Sequence, residues 1–306
     1  MTTLSALFGW LRLWSHQAMY RVPRQIVLLL VLLALPAAAA ARPMTKWDKD
    51  HGLPALLGPF HLSSSRTPPR GDDNGEVVLH VADSQGRGTD VKVEIAYDDV
   101  LATLGLGKID PESQQPQLLL ASYSGGAHCC THIQVVDLVG GQWRTVDVGN
   151  FEGEPMAVFP TDIDGDGVVD IERRDDRFAY AFGCYACSWR PPRVFNVRGG
   201  KLEDVSAAPR YRALYLKDYG AARKLCSKHV NAACAGLVAD GYRLGRATEA
   251  WAFAMARIDR KDSWALPGCK VKAPADQCPK GQEFGRGEFR AALTQFLTGD
   301  YIKPQP

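Results

Sequence analysis

The sequence predicts a mainly antiparallel β domain followed by a small disulfide-linked α-helical unit, an α+β chain overall. Three observations carry this expectation. Between Glu76 and Asp204, short runs rich in Val, Ile, Phe and Tyr alternate with turn residues. After Pro209 the apolar spacing becomes helical. All eight cysteines lie from Cys129 onward, behind a segment built like an export signal.

That segment comes first along the chain. Ile26 to Leu35 is unbroken apolar, follows Arg21 and Arg24, and leads through Pro36 into alanines ending at Ala41. A basic region, a short apolar region and a small-residue exit at Ala39 and Ala41 mark residues 1–41 as a signal peptide. The alternative is a membrane span, but the apolar run from Ile26 to Ala41 contains a proline and, at 16 residues, stops short of the roughly 20 that a bilayer core demands. No cysteine follows the apolar run, which argues against a bacterial lipid anchor. Met19 opens a more conventional leader than Met1 does. The expected location is periplasmic or secreted, with no stable membrane anchor after signal cleavage. Loss of residues 1–41 removes Arg12, Arg21 and Arg24 and no acid, so a net charge of +2 falls to about −1. Such a balance lacks the dense basic face that a phosphate backbone requires, which excludes nucleic acid as a partner.

Residues 42–75 hold Pro43, Pro54, Pro59 and the run SSSRTPPRGDDNG, and they read as an irregular lead-in. Residues 76–208 form the β domain. Its strands are expected at 77–82, 91–97, 117–123, 132–139, 142–148, 168–174, 177–182 and 193–197, with Gly140-Gly141 and Gly199-Gly200 as hairpin turns. Residues 209–306 form the helical unit, with helices near 214–228, 231–244, 248–258 and 288–297. Gly245 sits where a helix C-terminal glycine belongs, and Thr248 is placed to open the next helix. Ala235 to Trp251 is similar to the turn region of a tetratricopeptide helical hairpin, over about half of one repeat. Such repeats bury their faces only in arrays. An αα-hairpin packed on the β domain is therefore favoured over a peptide-binding groove.

The strongest motif is TDIDGDGVVDIE, which places Asp162, Asp164, Asp166 and Asp170 at relative positions 1, 3, 5 and 9. Hard cations want several oxygens on one tight loop, and alternate side chains on a sharply turning backbone converge. Gly165 and Gly167 permit the turn, and the carbonyl of Val168 falls where position 7 supplies a backbone oxygen. Four carboxylates this close repel one another without a cation. The expected metal ligands are Asp162, Asp164, Asp166, Val168 and Asp170, holding a structural Ca2+. Position 12 is Arg173, so the loop is not a complete EF-hand. It resembles the calcium loop of FG-GAP or integrin-type β repeats, in which the loop joins two strands and the ion is structural. The competing reading is an Asp-Gly turn that binds nothing.

A second cluster pairs SGGAHCCTH (His128, Cys129, Cys130, His132) with FGCYACSW (Cys184, Cys187). Thiolates and imidazoles bind zinc or copper, and a CxxC pair can be redox-active. Ser188 follows Cys187, which excludes covalent haem attachment through CxxCH. In an exported chain structural disulfides are favoured. Adjacent cysteines pair with each other only through a strained peptide geometry, so Cys129 and Cys130 are expected to reach Cys184 and Cys187 across neighbouring strands. Cys226 with Cys234 and Cys269 with Cys278 close short loops, each contributing roughly 2–3 kcal/mol. There is no G-x-S-x-G, HExxH or phosphate-cradling glycine loop.

The whole chain also resembles uncharacterised secreted proteins of Gram-negative bacteria that combine an SGGAHCC segment with a DxDGDG loop, which implies a periplasmic address. The functional expectation is an exported, calcium-stabilised binding or envelope-interaction module without catalytic activity. Its partner would be a protein or an envelope component. The alternative is a metal-handling or thiol-redox protein centred on His128, Cys129, Cys130, His132, Cys184 and Cys187. N-terminal sequencing of the exported protein should begin at or near Arg42, and retention of Ile26 to Leu35 would contradict the signal-peptide reading.

Overall fold

Burial of apolar strands on both faces organises the chain into layers. The computed structural model describes residues 42–68, 75–273 and 277–302, and the expected signal peptide at 1–41 lies outside the described residues. The strands are β1 (Thr45–Trp47), β2 (Leu56–Leu57), β3 (Phe60–Thr67), β4 (Glu76–Ala82), β5 (Gly88–Val93), β6 (Ala102–Gly107), β7 (Gln117–Tyr123), β8 (Thr131–Val139), β9 (Gln142–Phe151), β10 (Ile171–Arg174), β11 (Pro192–Arg198) and β12 (Lys201–Asp204). The helices are α1 (Arg212–Cys226), α2 (Asn231–Arg243), α3 (Ala247–Met255) and α4 (Phe289–Leu297). Antiparallel sheets in the N-terminal part are followed by disulfide-bonded helices, the α+β arrangement that the sequence predicts.

The central sheet has the order β1-β6-β7-β8-β9. Leu118 and Leu120 of β7 join Ala102, Leu104 and Val136 in a core completed by the outer sheet β2-β3-β4-β5 through Phe60, Leu79, Val81 and Val91. Leu119 and Ala121 point the other way, into a core shared with Ile133, Val135, Ile171, Phe195 and Val197. The third sheet, β10-β11-β12, supplies the last three of these. Val194 on the opposite face of β11 packs with Tyr211, Tyr215 and the helices. Alternation of side chains along a strand produces these two-sided contacts.

Turn chemistry fixes the registers. Val139 pairs with Gln142 and Arg198 with Lys201, leaving two-residue loops at Gly140-Gly141 (φ 58° and 81°) and Gly199-Gly200 (φ 58° and 71°). Left-handed backbone at both central positions is what such hairpins need, and glycine adopts it without a side-chain clash.

Three expectations are corrected. Residues 42–75 are not an irregular lead-in throughout, because β1, β2 and β3 form there; β3 pairs with β4 from His61↔Ala82 to Thr67↔Glu76 although only Phe60 and Leu62 of it are buried. The segment 177–182 is not a strand: Asp176–Phe178 is a 3-10 turn capped by Asp175, and it buries Phe178 and Phe182 while Tyr180 turns outward with φ 60°. Cys129 and Cys130 do not reach across to Cys184 and Cys187. Each pair closes on itself, Cys129 with Cys130 and Cys184 with Cys187. For the second pair the physical reason is local, since the 3-10 turn Tyr185–Cys187 brings its Cα atoms to 4.9 Å, within ordinary bridging range. The peptide bond between Cys129 and Cys130 is cis. Cys226–Cys234 ties the end of α1 to α2, and Cys269–Cys278 closes the loop before α4.

Buried carboxylates join the layers. Asp218 of α1 accepts Arg174 Nη1 at 2.6 Å and Trp189 Nε1 at 2.9 Å, tying α1 to β10. Burial, then the nearby Asp218, hold Asp240 of α2 well above the ordinary carboxylate range. Between β8 and the β11–β12 hairpin, Asp110 Oδ2 accepts the Gly200 N–H at 3.0 Å, and Asp137 lies beside Asp110. Burial first, and then Asp110, push Asp137 up to about 6. A carboxyl raised in the folded state contributes stability that is fully present below its unfolded value and is lost as pH rises through its folded value. Stability should therefore fall between about pH 4 and pH 6 by on the order of 1–3 kcal/mol, and Asp137→Asn should flatten that step in denaturant titrations at several pH values.

Candidate functional site

The loop between residues 161 and 170 leaves the central core and returns as β10. Its ends are pinned by the Asp170 N–H donating to Thr161 O at 3.0 Å. Asp162, Asp164 and Asp166 converge, each offering a carboxylate oxygen within 4.8 Å of the others. Asp162 shapes the turn: Oδ1 accepts the N–H groups of Gly165 (2.7 Å) and Asp166 (3.1 Å), and Oδ2 accepts that of Gly167 (2.8 Å). Burial raises its proton affinity, but these amide donors outweigh it and hold Asp162 below the usual carboxylate range. Gly165 (φ 82°) and Gly167 (φ 87°) occupy the left-handed region that the turn requires. Asp166 Oδ1 accepts the Val168 N–H at 2.9 Å.

Asp164 differs. Burial, then Asp170 and Asp166, hold its carboxyl above the usual range, and the guanidinium of Arg210 pairs with its Oδ2. Asp170 stands outside the converging trio. Its Oδ2 accepts the Ile163 N–H at 2.7 Å, while Oδ1 accepts Asn196 Nδ2 at 2.8 Å and the Tyr211 hydroxyl. Asp170 is 2% exposed and Tyr211 1%, so this network is sealed. Burial and then Asp170 push the Tyr211 phenol up, keeping it a donor. The structure thus gathers three of the predicted side-chain ligands at one point and uses the fourth to lock the loop to β11 and the helical unit. Three hard oxygens on one turn suit Ca2+, and the Asp164 carboxyl, held above the usual range by burial, Asp170 and Asp166 despite its pairing with Arg210, is the observation that fits a cation there. Asn196, Arg210 and Tyr211 escape sequence reading because they lie 26 or more residues downstream of the loop and no spacing connects them to it.

The second site lies at the β7–β8 loop. His128 stacks on Tyr185 with ring centroids 3.8 Å apart and planes 25° apart, so the two cysteine segments do meet, through rings instead of sulfurs. Cys184 Sγ accepts the Cys187 N–H at 3.2 Å. Among the described residues every cysteine is in a disulfide, which takes the thiols out of any soft-metal ligand set. His132 stands apart on β8, between Asp147 at 2.9 Å and Glu94 at 3.6 Å. A register shift between Ile133 and Gln134 lies beside it, a bulge that re-aims neighbouring side chains.

Next to His128 opens a cleft of about 630 Å³, walled by Tyr97, Tyr123, His128 and Tyr185 with Lys46 and Glu154 among its polar lining. The loop at its edge is pinned repeatedly. Ser124 and Cys130 exchange bonds through Ser124 N–H to Cys130 O (2.9 Å) and Cys130 N–H to Ser124 Oγ (3.1 Å). Gly126 N–H donates to Tyr97 OH at 3.2 Å, the Tyr123 hydroxyl donates to Gly126 O, and Gly153 N–H donates to His128 O at 3.0 Å. Tyr185 OH donates to Glu152 Oε2 at 3.0 Å. Of these residues, sequence reading singles out only His128 and the cysteines. The tyrosine inside Cys184-Tyr185-Ala186-Cys187 was a visible signal, whereas Tyr97 carried none.

Comparison with known proteins adds a context for this geometry. Residues 213–300, which span α1 to α4, match the sll0997 C-terminal domain family. The chain is 29% identical over 205 residues to a "Probable thylakoid lumen protein sll0997" of Synechocystis, covering 64% of this chain and 59% of that protein. It is 29% identical over 214 residues to an "Uncharacterized protein y4bJ" of Sinorhizobium fredii, covering 68% of this chain and 34% of that protein. The chain therefore spans less than two thirds of the length of either relative. No solved structure matches. The family match contains Asp218 and Asp240 but neither the aspartate loop nor the cleft. Among the described residues no helix is long and apolar enough to cross a membrane.

Removing the Tyr211 hydroxyl should expose how far the loop depends on its lock. Tyr211→Phe leaves Asp170 short of a buried donor and should lower stability by about 1–2 kcal/mol in chemical denaturation, with the ring packing kept.

Proposed function

We propose that the chain is an exported binding module without catalytic activity, in which the aspartate loop takes Ca2+ as a structural ion. The observation that carries the binding reading is the cleft beside His128, a preformed concavity lined by rings and edged by a loop that the fold pins from several sides. Concave, largely preformed pockets with a few convergent polar groups are the usual form of ligand sites. Export is supported by the signal-like leader, by disulfide bonding of the cysteines, and by the name of the Synechocystis relative, which puts that protein in a lumen. The partner is a protein or an envelope component.

The calcium role is supported by the convergence of Asp162, Asp164 and Asp166 on a turn already formed by backbone donors. A bound ion would neutralise these carboxylates and, through Asp170, Asn196 and Tyr211, stiffen the junction with the helices. In thermal melts of the mature protein, calcium should raise Tm relative to chelator, since one site at about 100 times its dissociation constant contributes roughly 2.7 kcal/mol. Asp166→Asn keeps the side-chain oxygen that caps Val168 while removing the charge, and should abolish most of the calcium response. Superimposable curves with calcium and chelator would contradict the calcium role.

A further inference from the structure

We propose that the cleft beside the β7–β8 loop is a saccharide-binding site for a short, uncharged glycan whose sugar faces lie against the ring of Tyr97 and the His128–Tyr185 stack. The proposal rests on the binding-module reading and is independent of the calcium loop.

The rings are displayed, not buried. Tyr97 is 76% exposed, and its backbone is left-handed at φ 52°, as is that of Asp98 at φ 67°. A bulky non-glycine residue in this region is strained and persists only where its surroundings impose it. Here the outcome is a ring standing out of the fold at the cleft, its hydroxyl held by the Gly126 N–H. Tyr180 repeats the arrangement, 48% exposed with φ 60°. Its ring lies 5.4 Å from Tyr185 and stacks on Trp264 at 6.3 Å with planes 18° apart. Trp264 Nε1 donates to Tyr180 O at 2.7 Å, which fixes the indole. Trp264, Tyr180 and Tyr185, with His128 stacked on Tyr185, thus form a run of neighbouring rings that reaches the cleft.

Polar groups share the lining with the rings. Glu154 and Lys46 are exposed at the cleft, and neither makes an ion pair among the described residues. Asp48 adds a second carboxylate to the lining, with its Oδ1 engaged by the Asp50 and His51 N–H groups and the His51 ring. A pyranose offers a flat face of C–H bonds, which packs on the negative face of an aromatic ring, and a perimeter of hydroxyls. Carboxylates accept from two hydroxyls at once, and an ammonium donates to up to three acceptors. A ligand with apolar faces and a polar rim therefore meets both kinds of lining. A purely apolar ligand would desolvate the carboxylates without replacing their hydrogen bonds. An anion would meet two carboxylates against one ammonium. A proline-rich peptide also suits aromatic grooves, but it has no hydroxyl perimeter to engage Glu154, Asp48 and Lys46.

The test uses the full mature chain with calcium present. Cellotriose, chitotriose and maltotriose are titrated by calorimetry, with a polyproline decapeptide in parallel, and saturation-transfer NMR maps the contact. At least one trisaccharide should bind at a single site, with transfer strongest to its ring C–H protons. Tyr97→Ala should weaken that binding about tenfold or more. Tyr97→Phe should retain most of it, because the stacking face survives. Absence of binding by all three sugars at millimolar concentration would overturn the proposal, as would undiminished affinity in Tyr97→Ala. Titration by the peptide with the sugars silent would overturn the ligand class while leaving the binding-module reading standing.

Discussion

The structure depends on burying β7 from both sides. QLLLASY is apolar on alternate and intervening positions alike, and every residue from Gln117 to Tyr123 is buried. A strand of this kind cannot end a sheet or face water on one side, because half of its leucines would remain exposed. It therefore requires one sheet above, met by Leu118 and Leu120, and another below, met by Leu119 and Ala121. The same demand recurs one layer down. β11 sends Phe195 and Val197 toward the central sheet and Val194 toward the helices, so the helical unit covers a face that would otherwise be wet.

Polar groups that fall between these layers are forced to find partners there. Asn196 shares a face of β11 with Val194 and meets the Tyr211 hydroxyl and Asp170 in a closed set of hydrogen bonds. Asp218 does the same for α1 against Arg174 and Trp189. Buried polar groups are costly when unpaired, so each such set fixes a relative placement that apolar contact alone would leave adjustable. The aspartate loop is consequently an extension of the layer junction and not a surface ornament.

Legibility in the sequence followed the locality of the physics. Gly140-Gly141 and Gly199-Gly200 were readable because a two-residue hairpin demands left-handed backbone at both places. The convergence of Asp162, Asp164 and Asp166 was readable because alternate side chains on one tight turn must meet. β3 was not, because SSSRT carries no apolar alternation and the strand is held by backbone pairing to β4. Residues 177–182 misled because Phe178, Tyr180 and Phe182 imitate a strand period, while burial of the two phenylalanines at a spacing of four belongs to a turn. The cysteine pairing misled because a local 3-10 turn outcompeted a cross-strand bridge. The aromatic cleft combines residues from β1, the segment after β5, strands β6 and β7, the β7–β8 loop, the segment after β9 and the Cys184–Cys187 turn, and no one-dimensional pattern links those places.

The loop bearing His128 starts directly from the end of β7, a strand buried along its whole length, and is closed by its own disulfide and by bonds to Ser124, Tyr97 and Gly153. Its conformational entropy is surrendered during folding, before any ligand arrives. An occupant of the cleft would therefore meet a rim that needs no further ordering, with little of the contact energy diverted to that purpose. The same rigidity limits accommodation. A rim that cannot reshape itself must discriminate by outline, so epimers differing at a single hydroxyl would be told apart by whether that group finds a partner or a clash.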